Sequence, residues 1–202
     1  MVAWSREEPV TRRSAAEWVT YLLEPKNWII ATVAAVGWRA DGAVGLVWGL
    51  VAALFAAVLP TLFITRGVAR GRWNDRNVGA RRPRLIVLSF MLASVTAGLV
   101  VLAVLGAPPE LTWYFGCMLA SVAVLAAITT VWKISIHCAV ASGSATILAL
   151  LFGPRLMVTY LLVALTAWSR VALKDHSTAQ VIAGCVLGTA AAVVTYAIIP
   201  HG

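Results

Sequence analysis

The chain has 202 residues, of which 61% are hydrophobic and only 12% are charged, with a formal net charge of +8. A soluble domain carries about twice that charged fraction, so the composition excludes an ordinary soluble protein and predicts an all-α integral membrane protein. The length suits one helical bundle and excludes a large extramembrane domain.

The three cysteines, Cys117, Cys138 and Cys185, lie singly inside apolar runs without CxxC spacing. This placement predicts core packing, with no disulfide framework and no metal site. The first 26 residues contain eight charged side chains, so no cleavable signal peptide is expected at the start.

Residues 1–26 are predicted to form a polar lead that ends in a surface helix. Ser14 to Glu17 has the pattern of a capping box, apolar residues follow at helical spacing, and Pro25 closes the helix. We expect this helix to be amphipathic and to lie along the membrane surface. An ordinary extramembrane helix packed on the bundle is the alternative.

Residues 27–202 are predicted to form a single bundle of six to seven transmembrane helices. The apolar segments are 28–38, 43–65, 85–107, 111–132, 138–153, 156–169 and 179–200. The first is short for a full span, which suggests tilting or partial insertion. Tight connections at 39–42, 108–110 and 153–155 predict antiparallel neighbours. Gly184 and Gly188 form a small-xxx-small pair, which predicts close approach of another helix.

If every segment spans the membrane, the loops after the second, fourth and sixth segments share one face with the N-terminus. These loops cover 66–84, 133–137 and 169–180, whereas only Arg39 and Arg155 of the 16 lysines and arginines fall on the opposite face. The bias toward one face sets orientation, predicts a cytoplasmic location in a plasma or inner membrane, and argues against nucleic acid as a partner. Polar groups this close to hydrocarbon are also usually functional.

The stretch 169–180 is polar between two apolar runs and contains Arg170, Lys174, Asp175, His176 and Gln180. If the helix continues, the histidine and the glutamine share a face and one can orient the other. If the chain bends instead, the arginine and the histidine can reach one small anion. An arginine and a histidine that converge at a membrane edge indicate phosphate chemistry.

Two of the three histidines, His137 and His176, lie on this face, each beside a cation and a hydroxyl residue, while His201 is a tail residue. Ser169-Arg170, five residues, His176, three residues and Gln180 resemble the third signature of the type 2 phosphatidic acid phosphatase superfamily, which ends in aspartate. Residues 134–137 are similar to its second signature, Pro-Ser-Gly-His. Arg82-Pro83 matches the end of the first signature, whose lysine position holds Asp75 with Arg76 next to it. The similarity covers about 76–188, the predicted phosphatase-like core.

This resemblance implies metal-independent hydrolysis of a lipid phosphate or diphosphate at the membrane interface, with no cofactor and with a prenyl diphosphate or a phosphatidic-acid-like lipid as substrate. His176 would form a phosphohistidine, His137 would protonate the leaving oxygen, and Gln180 would orient His176. The implied substrate-binding residues are Arg170, Arg82, Arg76, Lys133, Ser135 and Arg81. The chemistry is consistent, because phosphoryl transfer needs an in-line nucleophile and fixed positive charge around the phosphate oxygens.

Two departures from the family pattern keep other functions open. Gln180 adds no negative charge where the family has aspartate, and Ile136 replaces a glycine that would approach phosphate. A lipid phosphotransferase with the same intermediate and a non-catalytic binder or transporter of lipid phosphates are the alternatives. Metal-dependent chemistry is disfavoured, because the loops of this face hold only Asp75 and Asp175 and because two histidines without a third ligand make a poor zinc site. The sequence indicates no oligomeric state.

Overall fold

The computed structural model describes residues 15–72 and 81–199 and, within these ranges, every side chain except that of Arg81. The helices are α1 (Ala15–Leu22), α2 (Pro25–Ala53), α3 (Leu59–Ala69), α4 (Arg81–Val104), α5 (Pro109–Thr129), α6 (Ile136–Phe152), α7 (Tyr160–Ala172) and α8 (Thr178–Ile198). A π-helical turn, Leu54–Val58, joins α2 to α3, and a 3₁₀ helix, Pro154–Thr159, precedes α7. The described residues contain no strand, which confirms the predicted all-α class.

Five helical stretches are long and apolar enough to cross a membrane, and the 17-residue helix α6 is a shorter apolar one. The five are Ala15–Ala69, Arg82–Val104, Pro109–Thr129, Pro154–Ala172 and Thr178–Ile198. Large apolar side chains stand exposed along them, which suits a surface in contact with lipid. The chain is an integral membrane protein.

Helix α2 contains a reversal of the chain direction. Gly42 has φ 51° and ψ −131°, a backbone conformation that favours glycine. A Cβ on Gly37 would lie 2.2 Å from the carbonyl oxygen of Gly45, so the two arms, residues 25–40 and 43–53, pack directly on each other. The predicted tight connection between antiparallel neighbours is therefore confirmed at this turn.

Helices α6 and α8 pack with their backbones in contact. A Cβ on Gly184 would lie 2.5 Å from the carbonyl oxygen of Ser135, and one on Gly188 would lie 2.0 Å from that of Ala139. The predicted close approach at the glycine pair is confirmed, and α6 is the partner. The N–H of Ser135 donates to the carbonyl oxygen of Gln180 over 3.1 Å, which holds the beginnings of both helices at one end of the bundle.

Helix α1 packs on α7. Thr20 is buried, and its Oγ1 donates to Oγ of Ser169 over 3.1 Å. Trp18 and Tyr21 stand exposed on the other side of α1. The helix therefore contacts the bundle through one face and presents an aromatic face outward, whereas its predicted cap, Ser14, lies outside the described residues.

Candidate functional site

An open cavity of about 130 Å³ lies at the end of the bundle where α6 and α8 begin. Its walls come from the α1–α2 junction, the π-helical turn and α3, the start of α4, the start of α6 and the α7–α8 loop. Its ionisable lining side chains are Glu24, Lys26, Arg84, His137, Arg170 and His176. The cavity thus brings together residues from three loops that the order of the apolar segments assigns to one face.

The α7–α8 loop bends sharply and returns His176 to Arg170. Helix α7 ends at Ala172, and Lys174 adopts a left-handed φ of 56°. The N–H groups of Asp175 and His176 both donate to the carbonyl oxygen of Arg170, over 3.1 and 3.2 Å. The helix does not continue through the histidine, so the bend brings the arginine and the histidine to one cavity.

Gln180 holds His176 at the start of α8. Its Oε1 lies 3.2 Å from Nδ1 of His176 and accepts a hydrogen bond from the N–H of Ser177 over 3.1 Å. Ser177 caps α8 in return, because its Oγ accepts from the N–H of Gln180 over 3.4 Å. An amide oxygen can only accept, so Nδ1 carries the proton and Nε2 keeps its lone pair.

The positive surroundings of His176 favour the neutral imidazole. The side chain is buried, and burial together with the charges of Lys133, Arg84 and Arg170 lowers the pKa of His176 to about 4. The hydrogen bond that His176 donates to Gln180 acts in the opposite direction and is the smallest of these effects. At neutral pH the imidazole is therefore uncharged and able to act as a nucleophile.

Arg170 is the largest fully buried side chain of the described residues, at 1% exposure. Its Nη2 lies 2.7 Å from Oδ2 of Asp175, and the carbonyl oxygen of Asp175 accepts a hydrogen bond from Nζ of Lys133 over 2.8 Å. The predicted site residue Lys133 is thereby tied to the same loop, although it is not among the residues that line the cavity. These contacts fix the guanidinium in the wall of the cavity.

Arg84 lines the cavity, whereas the sequence predicts Arg82 as the substrate-binding residue of this segment. It is 4% exposed, its Nη2 donates to the carbonyl oxygen of Ile134, and its Nε has no hydrogen-bond partner among the described residues. Arg82 is exposed and does not line the cavity within the described part of the chain. Arg84, Leu88 and Val95 share the buried face of α4, but the sequence does not mark that face, because exposed positions of the helix such as Ile86 and Val100 are apolar too.

The second signature, residues 134–137, contributes His137 and Ile136 to the cavity wall. Ser135, predicted to bind substrate, is buried and does not line the cavity in the described structure. It caps α6, because its Oγ accepts a hydrogen bond from the N–H of Cys138 over 3.4 Å. Its contact is therefore with the helix that carries His137.

Part of the predicted site lies outside the described residues. Asp75 and Arg76 fall in the segment 73–80, and the side chain of Arg81 is not described, so their roles stay predictions. Among the described residues, no group of three or more histidine, cysteine or acidic side chains is placed to hold a metal ion. The cationic groups that line the cavity are lysine and arginine side chains, which suit an anion.

The family model of the PAP2 superfamily, the type 2 phosphatidic acid phosphatases, matches residues 85–201. The matched region begins directly after Arg84, covers more than half of the chain and contains both histidine motifs. No curated protein and no solved structure gives a significant match to the chain. Members of this superfamily are in general phosphatases that act on lipid phosphates. The chain belongs to the PAP2 superfamily, as the resemblance of its motifs predicts.

Proposed function

We propose that this protein hydrolyses a lipid phosphate or diphosphate at the membrane interface, without a metal ion, through a phosphohistidine on His176. One observation carries the proposal. A buried and neutral His176, held at Nδ1 by Gln180, lines the same cavity as Arg84, Arg170 and His137. This arrangement supplies a nucleophile, a second proton-transfer group and fixed positive charge.

The proposed reaction has two steps. In the first, Nε2 of His176 attacks phosphorus, the bond to the leaving oxygen breaks, and His137, in its imidazolium form, gives that oxygen a proton. In the second, water attacks the phosphohistidine, His137 takes a proton from the water, and inorganic phosphate leaves. Arg84 and Arg170 stabilise the negative charge on the phosphate oxygens in both transition states, because both are held in place before substrate binds.

The surroundings of the cavity support an amphiphilic substrate. Apolar side chains line it beside the cations, among them Ile64 and Val87. An adjoining apolar cavity of about 100 Å³ shares Ile29, Met91 and Ile136 with it and extends between α4, α5, α6 and α8. A phosphate at the arginines would leave an apolar chain beside this space. The excess of lysine and arginine in the loops of this face supports a cytoplasmic location for the site.

Gln180 favours a second candidate function, the binding of lipid phosphates without catalysis. The residue adds no negative charge to support a charged imidazole, whereas a binder would need only the cationic cavity. A lipid phosphotransferase would instead pass the phosphoryl group from His176 to an alcohol. The three functions differ in what happens to the phosphate, so one assay separates them.

The test measures phosphate release from a panel of lipid phosphates and diphosphates by the wild type, His176→Ala and His137→Ala, with His201→Ala as a matched histidine control. We expect His176→Ala to lower release by about a thousandfold or more, as loss of a nucleophile does, while substrate binding persists. His201→Ala should behave like the wild type. Phosphate release that His176→Ala leaves unchanged, or no release from any substrate, would contradict hydrolysis. Transfer to an added alcohol would identify a phosphotransferase.

A further inference from the structure

One wall of the cavity comes from the part of the chain that precedes the family match. Glu24, Pro25 and Lys26, at the junction of α1 and α2, line the same space as Arg170 and His176. The family match begins only at residue 85. This wall therefore adds to the site a cation and a carboxylate that the matched region does not supply.

Lys26 is held at the cavity by its neighbours. Its side chain is 27% exposed, its Nζ pairs with Oε2 of Glu24, and it lies 5.8 Å from the centroid of the Tyr21 ring. A cation over an aromatic face is attracted by the ring electrons. The ammonium group is thus retained close to the cavity instead of extending into solvent.

The wall is also anchored to the helix that carries Arg170. Oγ1 of Thr20, on α1, donates to Oγ of Ser169, the residue directly before Arg170. Nδ2 of Asn27 donates to the carbonyl oxygen of Leu22 over 2.9 Å, which closes the turn between α1 and α2. These contacts hold Lys26 in a defined place relative to the proposed phosphate-binding arginine.

We propose that Lys26 binds a second phosphate, next to the one that His176 attacks, and that the preferred substrate is therefore a lipid diphosphate. The inference rests on the proposed function. Arg84 and Arg170 lie with His176, so they serve the terminal phosphate, and Lys26 adds positive charge on another wall of the same cavity. A diphosphate carries its second anionic group one bridging oxygen away from the first, whereas a monophosphate has none to offer Lys26.

Glu24 acts as the partner of Lys26 when no substrate is bound. Its carboxylate also lines the cavity, so it repels an incoming anion until the second phosphate replaces it beside Lys26. Removing its charge in Glu24→Gln should therefore lower the KM for a diphosphate. The KM for the matching monophosphate should change less.

The test compares kcat/KM for farnesyl diphosphate and farnesyl monophosphate in the wild type, Lys26→Met and Lys26→Arg. We expect Lys26→Met to lower the value for the diphosphate by about ten- to a hundredfold, the usual effect of losing a charge-assisted hydrogen bond, and to spare the monophosphate. Lys26→Arg keeps the charge and should keep the preference. Lys174→Met removes an exposed lysine of the same face and is the matched control.

Equal losses on both substrates, or an equal loss in Lys174→Met, would overturn the inference, because general attraction of anions would then explain the effect. Calorimetric binding of a farnesyl methylenediphosphonate and of farnesyl phosphonate separates this inference from the proposed function. A preference for the diphosphonate that Lys26→Met abolishes supports the second phosphate site even in a protein that releases no phosphate. A preference that survives Lys26→Met overturns it even in an active enzyme.

Discussion

The two ends of the bundle use arginine in opposite ways. At the end away from the cavity, Nη1 of Arg39 lies 3.0 and 3.3 Å from the two carboxylate oxygens of Glu110, and its Nε donates to the carbonyl oxygen of Leu151 over 3.4 Å. This arginine joins the turn of α2 to α5 and α6. At the cavity end, Arg84 and Arg170 face a shared open space.

The difference lies in what compensates each charge. Glu110 is 8% exposed and neutralises Arg39 directly at the first turn of α5. Arg84 instead donates to a neutral carbonyl oxygen, so its charge acts on the cavity and helps to lower the pKa of His176. Arg170 also has a carboxylate partner, Asp175, so the contrast with Arg39 holds for Arg84, whose neutral partner leaves its charge to favour an incoming anion.

The largest effect expected from breaking this comparison comes from Arg84. Arg84→Met should lower phosphate release by about a hundred- to a thousandfold, as for other groups that stabilise charge in a transition state. Arg82→Met removes the same charge two residues earlier, from an exposed position, and should have little effect. Steady-state phosphate release by both variants checks this. Similar losses in the two variants would show that facing the cavity, as Arg84 does and Arg82 does not, makes no difference to activity.

A smaller effect concerns the protonation of His176. Because its pKa lies at about 4 in the fold and its ordinary value is 6.5, the imidazole stays neutral well below neutral pH, and this proposed nucleophile should not limit activity until the pH approaches 4. Gln180→Asp places a carboxylate where the structure has a neutral amide and should raise that pKa. We therefore expect the acid limb of the pH–rate profile to move to higher pH in this variant. If the acid limb stays at the same pH in Gln180→Asp, protonation of His176 does not determine it.

The lowered pKa of His176 also makes the stability of the fold depend on pH. In the unfolded chain His176 takes up a proton with a pKa near 6.5, whereas in the folded chain its pKa is about 4. The free energy of unfolding should therefore fall as the pH drops from 6.5 to about 4. Above the ordinary value both states are neutral at this residue and its contribution is constant. Unfolding in detergent at pH 7 and pH 5, with His176→Gln as the control, measures it. The control should lose part of the pH dependence.

The smallest expected effect is at the other end of the bundle, and it is on stability alone. Glu110→Gln should lower the free energy of unfolding by about 1 to 2 kcal/mol, because it leaves Arg39 without its charged partner. Arg155→Gln changes an exposed cation assigned to the same end and should be nearly neutral. Thermal unfolding and phosphate release are measured together. If Glu110→Gln lowers activity without lowering stability, the Arg39–Glu110 pair is not a purely structural contact and the contrast with Arg84 fails.

The fold class, the family and the helices can be predicted from the sequence. The apolar segments predicted at 85–107, 138–153 and 179–200 correspond closely to α4, α6 and α8. Hydrophobic runs and glycine spacing are local signals, because a helix that contacts lipid must be apolar along its length and a close helix contact needs small residues. The family signatures are also local signals, because their residues lie at fixed intervals along the chain.

Which polar side chains share the cavity depends on the packing of the helices. The rotation of α4 selects Arg84 over Arg82, and the packing of α1 on α7 brings Lys26 to a site whose other residues lie far along the chain. Ser135 lies within the second motif, yet its hydroxyl caps a helix. A cavity is formed by walls that are distant in sequence, and the orientation of each side chain depends on helix packing that no local pattern specifies.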